Sequence, residues 1–172
     1  MIKLATLCYV KRAGKTLMMH RVKRSNDIHF GKWNGLGGKL FPGETPEECV
    51  IREVREESGL ELRSPELKGF LTFPGFDGED DWYVFVFVAR KFSGVIGPCP
   101  EGDLSWIPDR KLASLPLWEG DRIFMKWLNG RKFFSGKFVY KNHRLKTFKV
   151  TFNKPNQDFS SGRGIRVGGR SG

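Results

Sequence analysis

The stretch GGKLFPGETPEECVIREVREESGL, residues 37–60, decides how this chain is read. Thr45 and Glu48 stand three apart, the spacing of a helix capping box, with Pro46 at the first helical position and Gly59 as a stop. Val50, Ile51 and Val54 supply a core face. On a helix of 3.6 residues per turn, Glu53, Glu56 and Glu57 fall within about a 100° arc, which we read as lying opposite that core face. Like charges at these spacings repel by a few tenths of a kcal/mol per pair. One reading is a solvated acidic face flanked by Arg52 and Arg55. The other is a cation site. The preceding GLGGKLFPGE is Gly-rich and lets backbone groups approach a ligand closely, and carboxylates beside backbone carbonyls suit Mg²⁺ or Mn²⁺.

The rest of the chain agrees with a globular fold. Its 172 residues fit one domain with a sizeable core, and 39% hydrophobic with 13% aromatic residues argue against disorder. The formal net charge of +11 attracts polyanions: nucleotides, nucleic acid or anionic lipid. No apolar run approaches the roughly 18 residues of a membrane helix. The first residues alternate like a strand and show no signal-peptide cleavage pattern. Cys8, Cys49 and Cys99 are odd in number and lack metal-type spacing, as expected in a reducing compartment. A cytoplasmic protein without membrane attachment is expected.

Residues 3–10 and 16–22 read as strands of a hairpin turning at Gly14, and KRSNDIHFGKWNGLGGKL as a polar loop with short extended pieces. LKGFLTFPGF and DDWYVFVFVARKF read as strands around the acidic turn DGEDD, and DLSWIP as a further short strand. EGDRIFMKWLNG reads as a second helix closed by Gly130. KFFSGKFVYKNHRLKTFKVTF reads as a hairpin turning at 141–143. Strands with only two helices imply an α/β (α+β) layered domain with a mixed sheet. We place this domain at 1–152. Residues 153–172, rich in Gly, Ser and Arg, read as a flexible basic tail.

The opening stretch resembles the signature of the Nudix hydrolases: Gly, five residues, Glu, seven residues, then Arg-Glu-apolar-any-Glu-Glu-any-Gly-apolar. Gly38, Glu44, Arg52, Glu53, Val54, Glu56, Glu57, Gly59 and Leu60 fill every fixed position. The resemblance implies an α/β/α sandwich with a mixed β-sheet between helices. It also implies divalent-metal hydrolysis of a nucleoside diphosphate linked to another moiety. Glu53 and Glu57 would be the main metal ligands with Glu56 close by, and the Gly38 carbonyl would complete the shell. Glu44 and Arg52 would pair with each other or with the helix carboxylates.

Outside the motif the chain resembles the MutT branch, which hydrolyses oxidised purine nucleoside triphosphates in nucleotide-pool sanitation, a DNA-repair role. That resemblance implies Asn34 hydrogen-bonding the purine, Trp118 stacking on it and Asp121 meeting its edge. Glu101 would be a further metal ligand or general base, and Arg21 would touch phosphate. Gly120 stands where the human-type segment carries the first of two adjacent Asp residues, so recognition of oxidised adenine nucleotides is not implied. The expected activity is Mg²⁺-dependent conversion of 8-oxo-dGTP to 8-oxo-dGMP and pyrophosphate by a monomer. The alternatives are removal of pyrophosphate from RNA 5′ ends, which the basic tail would assist as a less favoured nucleic-acid contact, and a non-catalytic nucleotide-binding module.

Overall fold

In a computed structural model, which describes residues 1–153, the chain is built on one mixed eight-stranded sheet. Strands β1 (Ile2–Arg12) and β2 (Lys15–His20) form the expected hairpin. They are followed by a two-residue β3 (Trp33–Asn34), helix α1 (Pro46–Ser58), β4 (Glu61–Arg63), β5 (Glu66–Phe73), β6 (Asp81–Ala89), β7 (Lys91–Ser93) and β8 (Asp103–Pro108). Helix α2 (Glu119–Phe124) precedes the closing hairpin of β9 (Phe133–Lys141) and β10 (Arg144–Asn153). The sheet order is β10-β9-β5-β6-β1-β2-β3, with β8 also paired to β2, and β4 and β7 make a separate two-stranded ribbon. β1 runs parallel to β6 and β5 parallel to β9, while the remaining pairs are antiparallel.

Alternation along the strands sends side chains to two cores. Cys8 and Val10 of β1 pack with Val50 and Val54 of α1 on one face. Tyr9 packs with Phe124, Phe134 and Phe138 on the other. The sheet therefore lies between helical layers, as expected. All three cysteines are buried and free. Among the described residues, no helix is long and apolar enough to cross a membrane.

The structure corrects several boundaries. The second helix ends at Phe124 and tightens into a 3₁₀ turn at Met125–Trp127 instead of continuing to Gly130. The Gly130 carbonyl is taken by the Lys68 ammonium at 2.6 Å, and Trp127 turns edge-on to Phe134. The expected run from 80 to 92 is divided after Ala89, because β7 leaves the sheet to pair with β4. β4 itself and a 3₁₀ segment at Asp109–Ser114 were unexpected. Asn153 ends β10 opposite Phe133, and the tail from 154 onward lies outside the described residues.

Gly69 shows how tightly the second core is closed. It sits at the irregularity in the β5–β6 register, and an added Cβ would run into the ring of fully buried Phe134. Overpacking of this kind costs about 1–3 kcal/mol. Gly69→Ala should lower unfolding free energy by that amount in urea denaturation.

Candidate functional site

Helix α1 starts with the capping box expected from the sequence. The Glu48 amide donates to Thr45 Oγ1 at 3.1 Å and the Thr45 amide to Glu48 Oε2 at 2.8 Å. Gly59 closes the helix in the left-handed conformation at φ 80°. Around the helix, however, the three glutamates separate. Seven residues advance the helix to within about 20° of the starting direction, so Glu57 lies beside Val50. It is buried with it, at 6% exposure, and does not stand opposite the core face. Glu56 is over half exposed at 56%, and Glu53 is largely covered.

Arg52 gathers this region. Its Nε donates to Glu44 Oε1 at 2.6 Å and Nη2 to Glu44 Oε2 at 2.9 Å, a two-pronged grip. Nη1 donates to Glu53 at 2.7 Å and, at 3.3 Å, to Glu56, while Nη2 also reaches the Lys39 carbonyl at 3.1 Å. The Phe41 ring lies 3.8 Å from the guanidinium. These bonds hold the Glu44 carboxyl down at about 2. Glu44 and Arg52 are thus a brace between loop and helix.

Glu57 receives no such cation. It accepts the Gly37 amide at 2.9 Å. Burial pushes its pKa up to about 8, the Gly37 hydrogen bond opposes that, and the charges of Glu101 and Glu53 add to the rise. The Glu53 carboxylate occupies the space that a Cβ on Gly38 would fill, and a Cβ on Gly37 would strike the Thr6 backbone. Both glycines are there because loop, strand and helix meet without room for side chains. The Gly38 oxygen accepts the Thr6 amide at 2.8 Å and the Cys49 thiol at 3.6 Å, so it is already shared with β1 and α1.

A cavity of about 580 Å³ opens beside this cluster, lined by Glu53, Gly38, Asn34, Arg21, Glu101, Trp118 and Asp121 among others. Six of the residues expected to bind substrate or metal therefore share one chamber with Gly38. Glu57 stands behind its wall, and Glu44, Arg52 and Glu56 lie outside it. Arg21 is committed within the protein: Nε donates to Asp27 at 2.6 Å and Nη1 to Glu101 at 2.8 Å. Arg24 adds a longer contact to Glu101 at 3.3 Å. Arg21 is therefore the group that orients Glu101.

The other end of the chamber is aromatic. Trp118 is buried at 6% exposure, and its Nε1 donates to His29 Nδ1 at 2.8 Å. Phe76 and Tyr140 pack edge-on against it, and the Lys32 ammonium lies 5.2 Å over the ring. Burial lowers the His29 pKa to about 4, which keeps Nδ1 an acceptor at neutral pH. Asn34 Oδ1 is buried without a hydrogen-bond partner, an arrangement that costs free energy unless a ligand supplies a donor. Burial raises Asp121 to about 7, against the pull of Arg122 and Lys32. Gly120 is fixed by packing: its amide donates to Tyr140 Oη at 2.7 Å, and a Cβ would come as close to that oxygen.

Asp27, His29, Phe76 and Tyr140 escaped the sequence reading. His29 and Asp27 lie in a polar loop with no periodicity, and Phe76 in a turn. Only the fold brings them to Trp118.

Among the described residues, no three His, Cys, Asp or Glu side chains already close on a common point. The donor chemistry nevertheless fits a hard cation. Glu53, Glu57 and Glu101 offer only oxygen, and the charges of Glu53 and Glu101 both reach Glu57.

Comparison with known proteins now decides the family, because the NUDIX domain model matches residues 1–128. The chain belongs to the Nudix hydrolase family. It is 33% identical over 140 residues to the Nudix hydrolase YvcI of Bacillus subtilis, covering 78% of this chain and 85% of that one. It is 32% identical over 142 residues to an oxidized purine nucleoside triphosphate hydrolase of Danio rerio, covering 82% and 88%. The MutT protein of Bacillus halodurans superposes with a TM-score of 0.76 at 30% identity, covering 86% of this chain and 97% of that one. Nudix hydrolases generally need a divalent metal such as Mg²⁺ and act on small nucleotides.

Asp121 gives this Nudix domain a pH signature. Because its folded pKa is raised, the folded state holds the proton more tightly than the unfolded chain. Its contribution is present below pH 3.8 and is lost as pH rises toward about 7. Unfolding free energies of wild type minus Asp121→Asn, measured from pH 3.5 to 8, should fall across that window and level off above it.

Proposed function

We propose that this Nudix hydrolase cleaves oxidised purine nucleoside triphosphates, 8-oxo-dGTP foremost, to the monophosphate and pyrophosphate. The observation that carries the reading is the buried, unpartnered Asn34 Oδ1 in the same chamber as Trp118 and Asp121. A guanine-type edge carries N–H donors and a carbonyl acceptor. Asn34 Oδ1 would accept one N–H. Asp121, kept neutral below about pH 7 by burial, would donate its O–H to the carbonyl. Trp118, held by His29, would form the flat wall against the base. The similarity to an oxidized purine nucleoside triphosphate hydrolase supports the same reading.

Glu53 and Glu57, with Glu56 and Glu101 as further oxygen donors, are the residues we assign to hold Mg²⁺ or Mn²⁺. When bound, such an ion supplies neutralisation of phosphate charge and acidification of water. The Gly38 carbonyl is a further candidate donor, which would give up its long contact from the Cys49 thiol to bind the ion. Hydrolysis joins a water oxygen to one phosphorus and breaks that phosphorus's bond to the bridging oxygen of the leaving group. Glu101, oriented by Arg21, or a glutamate of the α1 cluster receives the proton released from the water. Arg52 and Glu44 keep Glu53 and the Gly-rich loop in register. We place this activity in a cytoplasmic monomer engaged in nucleotide-pool sanitation.

With Mg²⁺, Glu57→Gln should reduce kcat for 8-oxo-dGTP by about 100-fold or more. Turnover near wild type would remove the glutamate cluster from the mechanism. A panel of 8-oxo-dGTP, dGTP, oxidised dATP and triphosphorylated RNA, read by pyrophosphate release, tests the base. The highest kcat/KM should belong to 8-oxo-dGTP, and Asn34→Ala should lower it by about ten-fold. Preference for triphosphorylated RNA would reassign the substrate.

A further inference from the structure

β1 connects two cavities. Ala5, Thr6 and Leu7 line the nucleotide chamber, and Lys11 and Arg12 line a second cavity of about 730 Å³ at the other end of the strand. At about 3.3 Å per residue, Thr6 and Arg12 are roughly 20 Å apart, so one small molecule does not occupy both. The second cavity lies between the β1–β2 turn, the β4–β7 ribbon and Asp109.

Its wall carries Lys11, Arg12, Arg63, Arg90 and Lys91 against a single carboxylate, Asp109. That carboxylate is already engaged. The Thr16 hydroxyl donates to Asp109 at 2.6 Å, and the buried Lys11 ammonium stands 3.5 Å away and donates to Thr16 at 2.9 Å. None of the other four cations is ion-paired among the described residues. Arg12 lies over Trp106 at 4.6 Å and near Phe92 at 5.9 Å, a placement that orders a guanidinium without neutralising it. Arg90 donates to the neutral Asn129 side chain at 3.1 Å. Arg63 and Lys91 are direct partners in the β4–β7 register, and like charges directly opposite destabilise a strand pair. A two-stranded ribbon of three residues per strand thus holds two opposed cations on the wall of a basic hollow, where an anion would relieve their repulsion.

The geometry points to a second binding site, in this cavity, for a ligand carrying two or more phosphate groups. A concavity lined by one sign of charge focuses its potential. Arginine forks match phosphate oxygens with two parallel hydrogen bonds. The volume is that of a site for an oligophosphate and exceeds the needs of a single phosphate ion. The phosphates are those of a free oligophosphate or of a nucleic-acid backbone. Either source meets the same four cations.

Amide NMR of the full chain in EDTA, titrated separately with inorganic tripolyphosphate and with a short single-stranded RNA lacking a 5′ phosphate, tests this. Tripolyphosphate should shift the amides of 12–14, 63 and 90–94, and the Arg63→Ser/Lys91→Ser double variant should bind it about ten-fold more weakly. Turnover of 8-oxo-dGTP by that variant should stay at the wild-type value. Arg90→Gln supplies an independent reading if the double variant does not fold. RNA shifts at the same amides, weakening with salt, would extend the site to nucleic-acid backbone. RNA shifts here without tripolyphosphate shifts would assign the phosphates to nucleic-acid backbone, whereas shifts confined to the amides of 37–57, equal affinity in the variants, or no shift at 12–14, 63 and 90–94 with either probe would each overturn the proposal.

Discussion

The Arg52 guanidinium holds four groups at once: both oxygens of Glu44, the carboxylates of Glu53 and Glu56, and the Lys39 carbonyl. No other side chain could replace it without leaving acceptors empty, because only a guanidinium offers five N–H donors in a fixed plane. The repulsion among the α1 glutamates is tolerable because this one cation divides them. Glu53 and Glu56 lean toward Arg52, and Glu57 turns the other way, into the protein, under the Gly37 amide. The carboxylate left without a cation is the one at the floor of the loop.

That division governs the chamber. With Glu44 fixed, the loop from 37 to 44 lies against α1, and Gly38 sits directly against Glu53. The same loop is stitched to β1 through Thr6, whose amide donates to the Gly38 carbonyl, and Leu4, whose carbonyl accepts from the Leu40 amide. β1 is central in the sheet, so the position of the carboxylates is set by the core rather than by a surface loop. From the far side, β3 and α2 bring Asn34, Trp118 and Asp121 to the same space. The carboxylates and the aromatic wall thus stand at two ends of one cavity, which the proposed function assigns to phosphate and to a flat base.

The α1 segment was legible because its signals are local: a capping box, a proline at the first turn, a glycine stop and an Arg–Glu pattern at fixed spacing. Both hairpins were legible for the same reason. The burial of Glu57 was not, since a list of core residues around the helix left it among the charged ones although it points within about 20° of Val50. The early end of α2 was not legible, since the segment after it is held by contacts outside it, Trp127 against Phe134 and the Gly130 carbonyl under the Lys68 ammonium. Arg21 read as a phosphate contact, and its engagement by Asp27 and Glu101 was not legible because these partners are separated from it by 6 and 80 residues. His29 and Phe76 carry no pattern of their own and matter only through contact with Trp118. The groove at Arg63 and Lys91 exists only because β7 leaves the main sheet to pair with β4.

Under the proposed function, the Arg52 brace prepares the α1 carboxylates to hold a divalent cation. Direct titration of Mn²⁺ into the substrate-free protein, followed by electron paramagnetic resonance, tests it most directly. Residues that position metal ligands typically contribute 10–100-fold to affinity. Wild type should bind Mn²⁺, and Arg52→Lys, which keeps the charge but loses the fork, should bind it about ten-fold more weakly. Mn²⁺ binding by Arg52→Lys equal to that of wild type would show that the brace does not prepare the carboxylates.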